Sequence, residues 1–430
     1  MARRDPYIRL WLDGAPVEGV DRWLLQAEVE ERCDDATTFR LVLDLTPVGD
    51  GSAPGDWDLL EHGPLAADAG LPDVGLLRRV TLALGLSGGE DPALAPVETV
   101  VVDGYATAVE AVFGPSRIPD SSLVLTGSDA LCLMHTSTAT HEWYGVTDAE
   151  IARELYGRYG FAVGGDTVED TAPTRARERG SVVQRGTDAQ LLRQLAQRNG
   201  FEWYLEPGTA PVAAGAHPTT AVTGHFHAPR PQGTAQPVLE LFPREDPTVV
   251  EMRARWDAEQ ATRWRGWHID EVTRRLQTAD VTDPGYVRMG QVSREQALAE
   301  RLGAIRPVRA GTAVLAGGGA GGDTQLLEVA SVDVPDDGTE LETLTRAAYR
   351  GSDWFATAHV TVRGERYPQI LRSRRPVTLA GAGHLLDGLW YVRSVRHRWG
   401  VDPDNPEHEP TITRYEADAV LVRNALGGQP

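Results

Sequence analysis

The feature that most constrains the fold is a helix–strand sequence that the chain contains twice. One copy, TDAEIARELYGRYGFAV, begins at Thr147, and the other, TDAQLLRQLAQRNGFEWYL, spans residues 187–205. In both, a threonine is followed three residues later by Glu150 or Gln190, the spacing of a capping box, and apolar residues recur at helical intervals. A glycine then ends each helix before a Phe opens a strand. We expect two α–β units of one design, with the helix caps Thr147, Gly160, Thr187 and Gly200.

A second, fainter repeat lies outside the first. RRVTLALG followed by VVVDGYATAVEAVF stands near the start, and RRPVTLAGAG followed by LLDGLWYVRSVRHRW stands near the end. Each copy has a VTLA strand and then alternating apolar residues, with Asp103-Gly104 and Asp387-Gly388 as turn-type dipeptides. We therefore predict a mainly β protein in which two related small β-barrel domains flank an α+β middle. The predicted domains are residues 1–130, 131–245 and 246–430.

The totals limit the function classes. The 430-residue chain carries a formal charge of −20, and all 42 of its basic residues are arginine. The lack of lysine excludes a P-loop lysine and a Schiff-base lysine. An acidic chain is poorly suited to nucleic acid, which requires a basic face. No apolar run is long enough to span a membrane, and the N-terminus lacks the apolar core of a signal peptide, so we expect cytoplasmic folding.

Reactive motifs are weak throughout. GGGAGG at residues 317–322 is followed by a strand pattern rather than the helix that a dinucleotide site needs, which favours a loop. His225 and His227 would share one strand face, but no third metal ligand is evident nearby, and His141 lacks a second histidine at zinc-protease spacing. Cys33 and Cys132 have no catalytic context. We predict no catalytic residue, no cofactor and no metal.

Aromatic residues are the better candidates for function. RARWDAEQATRWRGWHI packs three of the 11 tryptophans among arginines, and these are the residue types that dominate protein–protein contacts. Core packing and an interface are equally good explanations of this pattern. The candidate interface or structural residues are Asp103, Gly104, Tyr105, Trp256, Trp264, Trp267, Asp387, Gly388, Trp390 and Tyr391.

These segments resemble the phage late control protein D family, which includes the hub portion of VgrG proteins and the baseplate hubs of contractile tails. The helix–strand motif from Gln184 to Tyr204 resembles the family signature, and Gly388, Tyr391, Val392, Val395 and His397 fit its terminal strand. The chain departs from the family in long insertions at Pro47–Gly75 and Pro207–Thr223. Residues 285–337 match nothing in it, and we expect no counterpart of the needle part of a full VgrG.

The resemblance implies a structural baseplate hub of a phage tail or a contractile injection system. In that family, trimers place six similar barrels in a ring, which adapts a sixfold inner tube above to a threefold spike below. The expected partners are two further copies of the chain, a spike, an inner-tube or tube-initiator protein and other baseplate proteins. The alternatives are a tail-associated cell-wall-degrading enzyme and a surface carbohydrate-binding β-protein.

Overall fold

The computed structural model describes most of the chain. The described residues are 4–17, 19–20, 24–44, 76–88, 95–113, 122–172, 181–209, 219–243, 247–257, 263–270, 273–298, 327–329, 335, 338–400 and 414–427. Some predicted features lie partly or wholly outside these residues. The insertion at Pro47–Gly75 and the glycine-rich segment 317–322 lie wholly outside them, and the insertion at Pro207–Thr223 and the segment 285–337 lie partly outside. SREQALAERLGAI at residues 293–305 has the pattern of a capped helix, and of it residues 294–298 are helical while those from 299 onward are outside the described residues.

Strands dominate the described chain, which confirms the mainly β prediction. The N-terminal region contains β1 (Pro6–Leu12), β2 (Ala15–Pro16), β3 (Leu24–Arg32), β4 (Thr38–Asp44), β5 (Arg79–Leu86), β6 (Val97–Val112) and β7 (Ser122–Asp129). The middle contains β8 (Thr138–Trp143), β9 (Val182–Thr187), β10 (Glu202–Thr209) and β11 (Thr219–His227). The C-terminal region contains β12 (Gln236–Glu240), β13 (Val249–Trp256), β14 (Arg263–Ile269), β15 (Leu276–Val281), β16 (Val292–Ser293), β17 (Leu327–Val329), β18 (Ala356–Arg363), β19 (Pro376–Ala380), β20 (Gly388–Gly400), β21 (Arg414–Arg423) and β22 (Ala425–Leu426).

Both β-rich regions belong to one 13-stranded sheet. Its strand order is β13-β18-β21-β20-β3-β4-β7-β6-β5-β1-β2, and β19, paired with β12, lies beside β20. Within the described residues the sheet does not close into a barrel. Buried positions alternate with half-buried or exposed ones along most of β3 and β4, so one face of each strand packs into a core. The core of the N-terminal region also takes in Trp399 and Tyr415 from the C-terminal region.

The repeated sequence folds as two helices with a separate core. Helix α1 spans Asp148–Arg158 and helix α2 spans Asp188–Asn199, and each begins with a complete capping box at the preceding threonine. Gly160 and Gly200 adopt the left-handed conformation after these helices. The apolar faces of both helices pack with Trp203 of β10 and Phe226 of β11. Residues 130–135 add a short 3-10 helix whose N-cap is Asp129.

A third helix, α3 (Gly338–Asp353), ties the middle region to the C-terminal one. It packs against the three-stranded sheet of β15, β14 and β17 and against α2. Arg350 of α3 donates a hydrogen bond to the Asn199 carbonyl at 3.0 Å, and Arg198 of α2 forms an ion pair with Glu340. The segment TELETLTRAAYRG, from Thr339 to Gly351, has the sequence pattern of a capped helix, and the structure confirms that helix and shows that it joins the two regions.

Two sequence predictions are wrong in detail. Asp103-Gly104 does not form a turn, since both residues lie within the long strand β6. A Cβ at Gly104 would lie 2.0 Å from the Ser128 carbonyl oxygen, so the glycine permits close strand packing rather than chain reversal. Part of the predicted Pro207–Thr223 insertion belongs to the β10–β11 hairpin, whose strands pair from Glu202 opposite His227 to Thr209 opposite Thr219.

No helix among the described residues is long and apolar enough to cross a membrane.

We predict opposite effects of alanine at two helix glycines. Gly200 has a φ of 62°, and a Cβ there would lie 2.9 Å from the Ala347 Cα, so Gly200→Ala should lower the free energy of unfolding by at least about 1 kcal/mol. Gly157 lies inside α1, where a Cβ meets no atom within 4 Å, so Gly157→Ala should raise it by up to about 1 kcal/mol. Urea unfolding of the two variants measures both changes. Equal effects would contradict the assigned role of Gly200.

Candidate functional site

The large sheet consists of two half-sheets with the same strand order. We call β3-β4-β7-β6-β5-β1 the N half-sheet and β13-β18-β21-β20-β19-β12 the C half-sheet. The strands also follow one another along the chain in the same sequence in both halves. Only the outermost pair differs, because β1 pairs antiparallel with β5 whereas β12 pairs parallel with β19. The duplication suggested by the faint sequence repeat is therefore a duplication of topology.

The correspondence extends to single residues. Thr81 and Thr378, the threonines of the two VTLA segments, lie opposite Asp103 and Leu389. Tyr105 and Tyr391 thus occupy equivalent positions. An alignment of the two Asp-Gly dipeptides would differ from this structural correspondence by two residues. The reason is that Asp103 lies within β6, whereas Asp387 precedes β20.

Register irregularities recur at equivalent places as well. β3 shifts against β4 between Leu24 and Gln26, and β13 shifts against β18 between Val249 and Glu251. β6 shifts against β7 between residues 106 and 108, and β20 shifts against β21 between residues 392 and 394. Bulges re-aim side chains locally, so the shared positions give the two half-sheets the same bends.

The half-sheets are joined by the pairing of β20 with β3, which we call the internal joint. The two strands are antiparallel from Ser394 opposite Arg32 to Gly400 opposite Gln26. β20 reaches β3 because it is longer than β19: its first residues pair with β19, and its remaining residues extend past the end of that strand. The joint therefore depends on one long strand that serves two neighbours.

Ion pairs cover the outer face of the internal joint. Arg396 of β20 lies 3.3 Å from a carboxylate oxygen of Glu28 and 3.0 Å from one of Glu30, both on β3. Arg398 makes similar contacts with Glu416 at 3.2 Å and Asp418 at 2.9 Å on β21. Partly exposed pairs of this kind contribute little stability individually, but opposite charges across a strand pair favour one register over its alternatives.

Buried charges lie on the inner face of the joint. Glu31 of β3 is fully buried and forms an ion pair with Arg372 at 2.7 Å. The backbone N–H and the hydroxyl of Ser373 donate hydrogen bonds to the same carboxylate at 3.1 and 3.2 Å. Burial raises the pKa of Glu31, but Arg372, His397 and Arg374 outweigh it and lower the pKa to about 2. His397 stays neutral near pH 7, since burial lowers its pKa to about 4.

A polar cluster connects the middle region to the same part of the sheet. The buried Tyr391 hydroxyl donates a hydrogen bond of 2.7 Å to Glu202 of β10. The Arg374 guanidinium lies 4.0 Å above the ring of Tyr204, whose hydroxyl is 3.1 Å from the ring nitrogen of His227. Burial raises the pKa of Glu202 to about 7, although Tyr391, Cys33 and Arg374 act in the opposite direction.

The histidine pair is part of this packing rather than a set of ligands around a cavity. His225 stacks on Tyr204 with ring centroids 4.4 Å apart, and the Nδ1 of His227 is 2.8 Å from the Ala228 carbonyl. Burial lowers the pKa of both histidines to about 4. The described part of the chain contains no group of three or more His, Cys, Asp or Glu side chains placed to hold a metal ion.

The predicted interface residues divide into buried and exposed groups. Asp103 is buried and accepts hydrogen bonds from Arg79 at 2.8 and 2.6 Å, whereas Trp390 is buried and donates to the Leu386 carbonyl at 2.8 Å. Gly104 and the half-buried Tyr105 lie in β6, and Gly388 is the first residue of β20. Three others form hydrogen bonds: Asp387 accepts one from the Ala382 N–H, Tyr391 donates one to Glu202, and Trp264 donates one to Ser352. Trp256 on β13 and Trp267 on β14 are largely exposed.

The sequence predictions missed the charged residues of the internal joint. Glu31 and Arg372 are far apart in the chain, and neither belongs to a motif. A usable signal was present in the alternation of charge, since EVEER in β3 faces VRHR in β20. The pairing of these two strands had to be known before that complementarity could be recognised.

No protein-family model and no curated protein matches the sequence. Solved structures do match. A tail protein from Neisseria meningitidis MC58 is 13% identical, with a TM-score of 0.55 over 98% of each chain. The 43 kDa tail protein of prophage MuSo2 from Shewanella oneidensis is 14% identical, with a TM-score of 0.55 over 98% of this chain and 100% of that one.

A chain of the lidless Francisella PdpA–VgrG complex is also similar. It is 9% identical, with a TM-score of 0.52 over 100% of this chain and 67% of that chain. The sequence resemblance to tail hubs and VgrG proteins is thereby confirmed in the fold. At these identities the likeness concerns the fold alone.

We predict that the buried ion pair is costly to break from one side. Glu31→Gln leaves the Arg372 charge without its counterion and should lower the free energy of unfolding by roughly 3–5 kcal/mol. Removing both charges in Glu31→Gln/Arg372→Met should cost less than the sum of the single changes. Arg396→Met, at the partly exposed face, should cost about 1 kcal/mol or less. A double-mutant cycle by denaturant unfolding measures the coupling, and additive effects would contradict it.

We predict that Glu202 makes stability depend on pH. Its pKa rises from 4.5 in the unfolded chain to about 7 in the fold, so the folded state retains a proton between these values. Stability should therefore fall by about 3 kcal/mol as the pH rises from 4.5 through 7. Glu202→Gln should remove that part of the dependence and leave contributions from other acids in place. Parallel profiles of unfolding free energy against pH for both proteins would contradict this assignment.

Proposed function

We propose that this chain is a structural hub of a phage tail or of a tail-like contractile injection system. It would act as a homotrimer that joins a sixfold tube to a threefold spike. The observation that carries the proposal is the strand-by-strand equivalence of the N and C half-sheets. Three chains with two equivalent units each present six similar units around a ring, which is what a contact between threefold and sixfold assemblies requires.

The equivalence of the half-sheets gives the finer statements a physical basis. Each half-sheet is the proposed tube-type unit, and the units would complete a closed ring only in the assembled trimer. The predicted second unit begins at residue 246, and we propose to include β12 (Gln236–Glu240) in it because β12 pairs with β19. The α1–α2 region, with its own core, would form a separate middle domain. The fold shared with phage tail proteins and a chain of a VgrG complex agrees with this arrangement.

The side chains favour structure over catalysis. The buried titratable groups described above are paired with one another or hydrogen-bonded within the fold, as Glu31 is to Arg372 and Tyr391 is to Glu202. We propose no catalytic residue and no cofactor. The proposed partners are a spike, a tube or tube-initiator protein and other baseplate proteins, in a particle assembled in the cytoplasm.

We predict that the purified chain forms trimers. Because one chain has a mass of 46.7 kDa, light scattering after size-exclusion chromatography should give about 140 kDa. Electron microscopy of that species should show a ring with six similar lobes. A chain that remains monomeric at high micromolar concentration, also when co-expressed with its spike protein, would contradict the proposed function.

A further inference from the structure

Among the open strand edges of the sheet, which include the outer edges of β2 and β12, two lie on β13 and at the end of β6. β13 is the last strand of the C half-sheet, so only its β18 side is paired. On β6, residues 107–112 extend past the end of β5 and pair with β7 on the other side alone. Open edges of this length present unpaired N–H and C=O groups, which favour pairing with another chain.

The two open edges are the equivalents of the two strands in the internal joint. β6 corresponds to β20 and β13 corresponds to β3, by strand order and by the shared register shifts. Residues 108–113, at the end of β6 and just past it, thus correspond to residues 394–399 of β20. Residues 252–257, at the end of β13 and just past it, correspond to residues 27–32 of β3. In one chain β20 and β3 are paired with each other, whereas their equivalents β6 and β13 lie at separate open edges.

The inner faces of these edges are apolar. Val109, Ala111 and Phe113 correspond to Val395, His397 and Trp399, which are buried at the internal joint. In β6 the same positions are exposed or half-buried, and Phe113 is 59% exposed. On β13 the matching face carries Met252, Ala254 and Trp256, with Trp256 50% exposed. Pairing the two edges would bury both apolar rows together.

The outer faces are complementary in charge. By the equivalence, Glu110 of β6 takes the place of Arg396, and Arg255 of β13 takes the place of Glu30, so the ion pair of the internal joint recurs with its signs exchanged. The side chains of Arg253 and Arg255 are 81% exposed. Within the chain they contact Glu251 and Asp257, each two residues away on the same exposed edge.

We propose that β6 of one chain pairs antiparallel with β13 of a second copy, in the register of the internal joint. Ala111 then lies opposite the partner's Ala254, and Glu110 lies opposite the partner's Arg255. Every chain offers one edge of each kind, so the contact is head-to-tail, and it forms a ring of three when each contact rotates the chain by one third of a turn. This inference rests on the proposed trimer and specifies which surfaces form it.

Disulfide trapping tests the register. The variant Ala111→Cys/Ala254→Cys, in a Cys132→Ser background that leaves only buried Cys33, should give a covalent trimer on a non-reducing gel after mild oxidation. The matched control Glu110→Cys/Ala254→Cys places the two sulfurs on opposite faces of the paired strands and should cross-link at least about tenfold less. Each single-cysteine variant should remain uncross-linked.

The outcomes separate this inference from the proposed function. If light scattering shows a trimer but the Ala111→Cys/Ala254→Cys variant does not cross-link, the strand pairing is overturned and the hub proposal stays intact. The same holds if the Glu110→Cys/Ala254→Cys control cross-links equally well. A protein that is monomeric by light scattering overturns both. A covalent trimer from the matched pair alone supports both.

Charge reversal gives a second measurement, on the full chain without introduced cysteines. Glu110→Arg or Arg255→Glu alone should raise the concentration at which the trimer dissociates by about tenfold, because each places like charges opposite one another. The double reversal should restore most of the loss. Glu342→Arg, an exposed reversal on α3 away from both edges, serves as the control and should change nothing. No rescue in the double variant would contradict the pairing.

Discussion

The pairing of β20 with β3 is the interaction on which the rest of the structure depends. It makes one sheet of two half-sheets that are otherwise complete, and it brings Trp399 of β20 into the N-terminal core. The backbone ladder alone would permit a slip along the strands. The charges on the outer face and the ion pair of Glu31 with Arg372 on the inner face favour a single register, because a shift of β3 by one residue would move Glu31 to the outer face.

The buried charges illustrate a balance between stability and specificity. Taking Glu31 and Arg372 out of water costs several kcal/mol for each ion, and their attraction and the hydrogen bonds from Ser373 offset that cost only in this arrangement. An apolar pair of similar volume would pack as well. We interpret the ion pair as a device that defines how the half-sheets meet. The open edges on β6 and β13 differ from the internal joint, because their inner faces carry apolar side chains in place of the buried ion pair.

The middle region acts on the same joint from one side. Glu202 on β10 and Tyr391 on β20 meet in a buried contact, and Arg374 covers Tyr204 on the same side. Through these contacts the α–β units, whose helices contain caps and apolar faces but no reactive site, support the strand that carries the internal joint. Helix α3 adds a second connection through Arg350 and Asn199. The repeated helix–strand sequence is thus scaffolding for the sheet.

The sequence by itself determined the local features, because these depend on neighbours within a few residues. The capping boxes at Thr147 and Thr187, the α3 helix and the mainly β character follow from spacing alone. The VTLA segments also pointed to a duplication, but the Asp-Gly dipeptides misled the alignment, since Asp103 lies inside a strand. Only the tertiary structure decided which strands pair, that Glu31 meets Arg372, and that β6 and β13 are left as open edges. Such contacts join residues hundreds of positions apart, and their complementarity has no meaning until the fold brings the strands together.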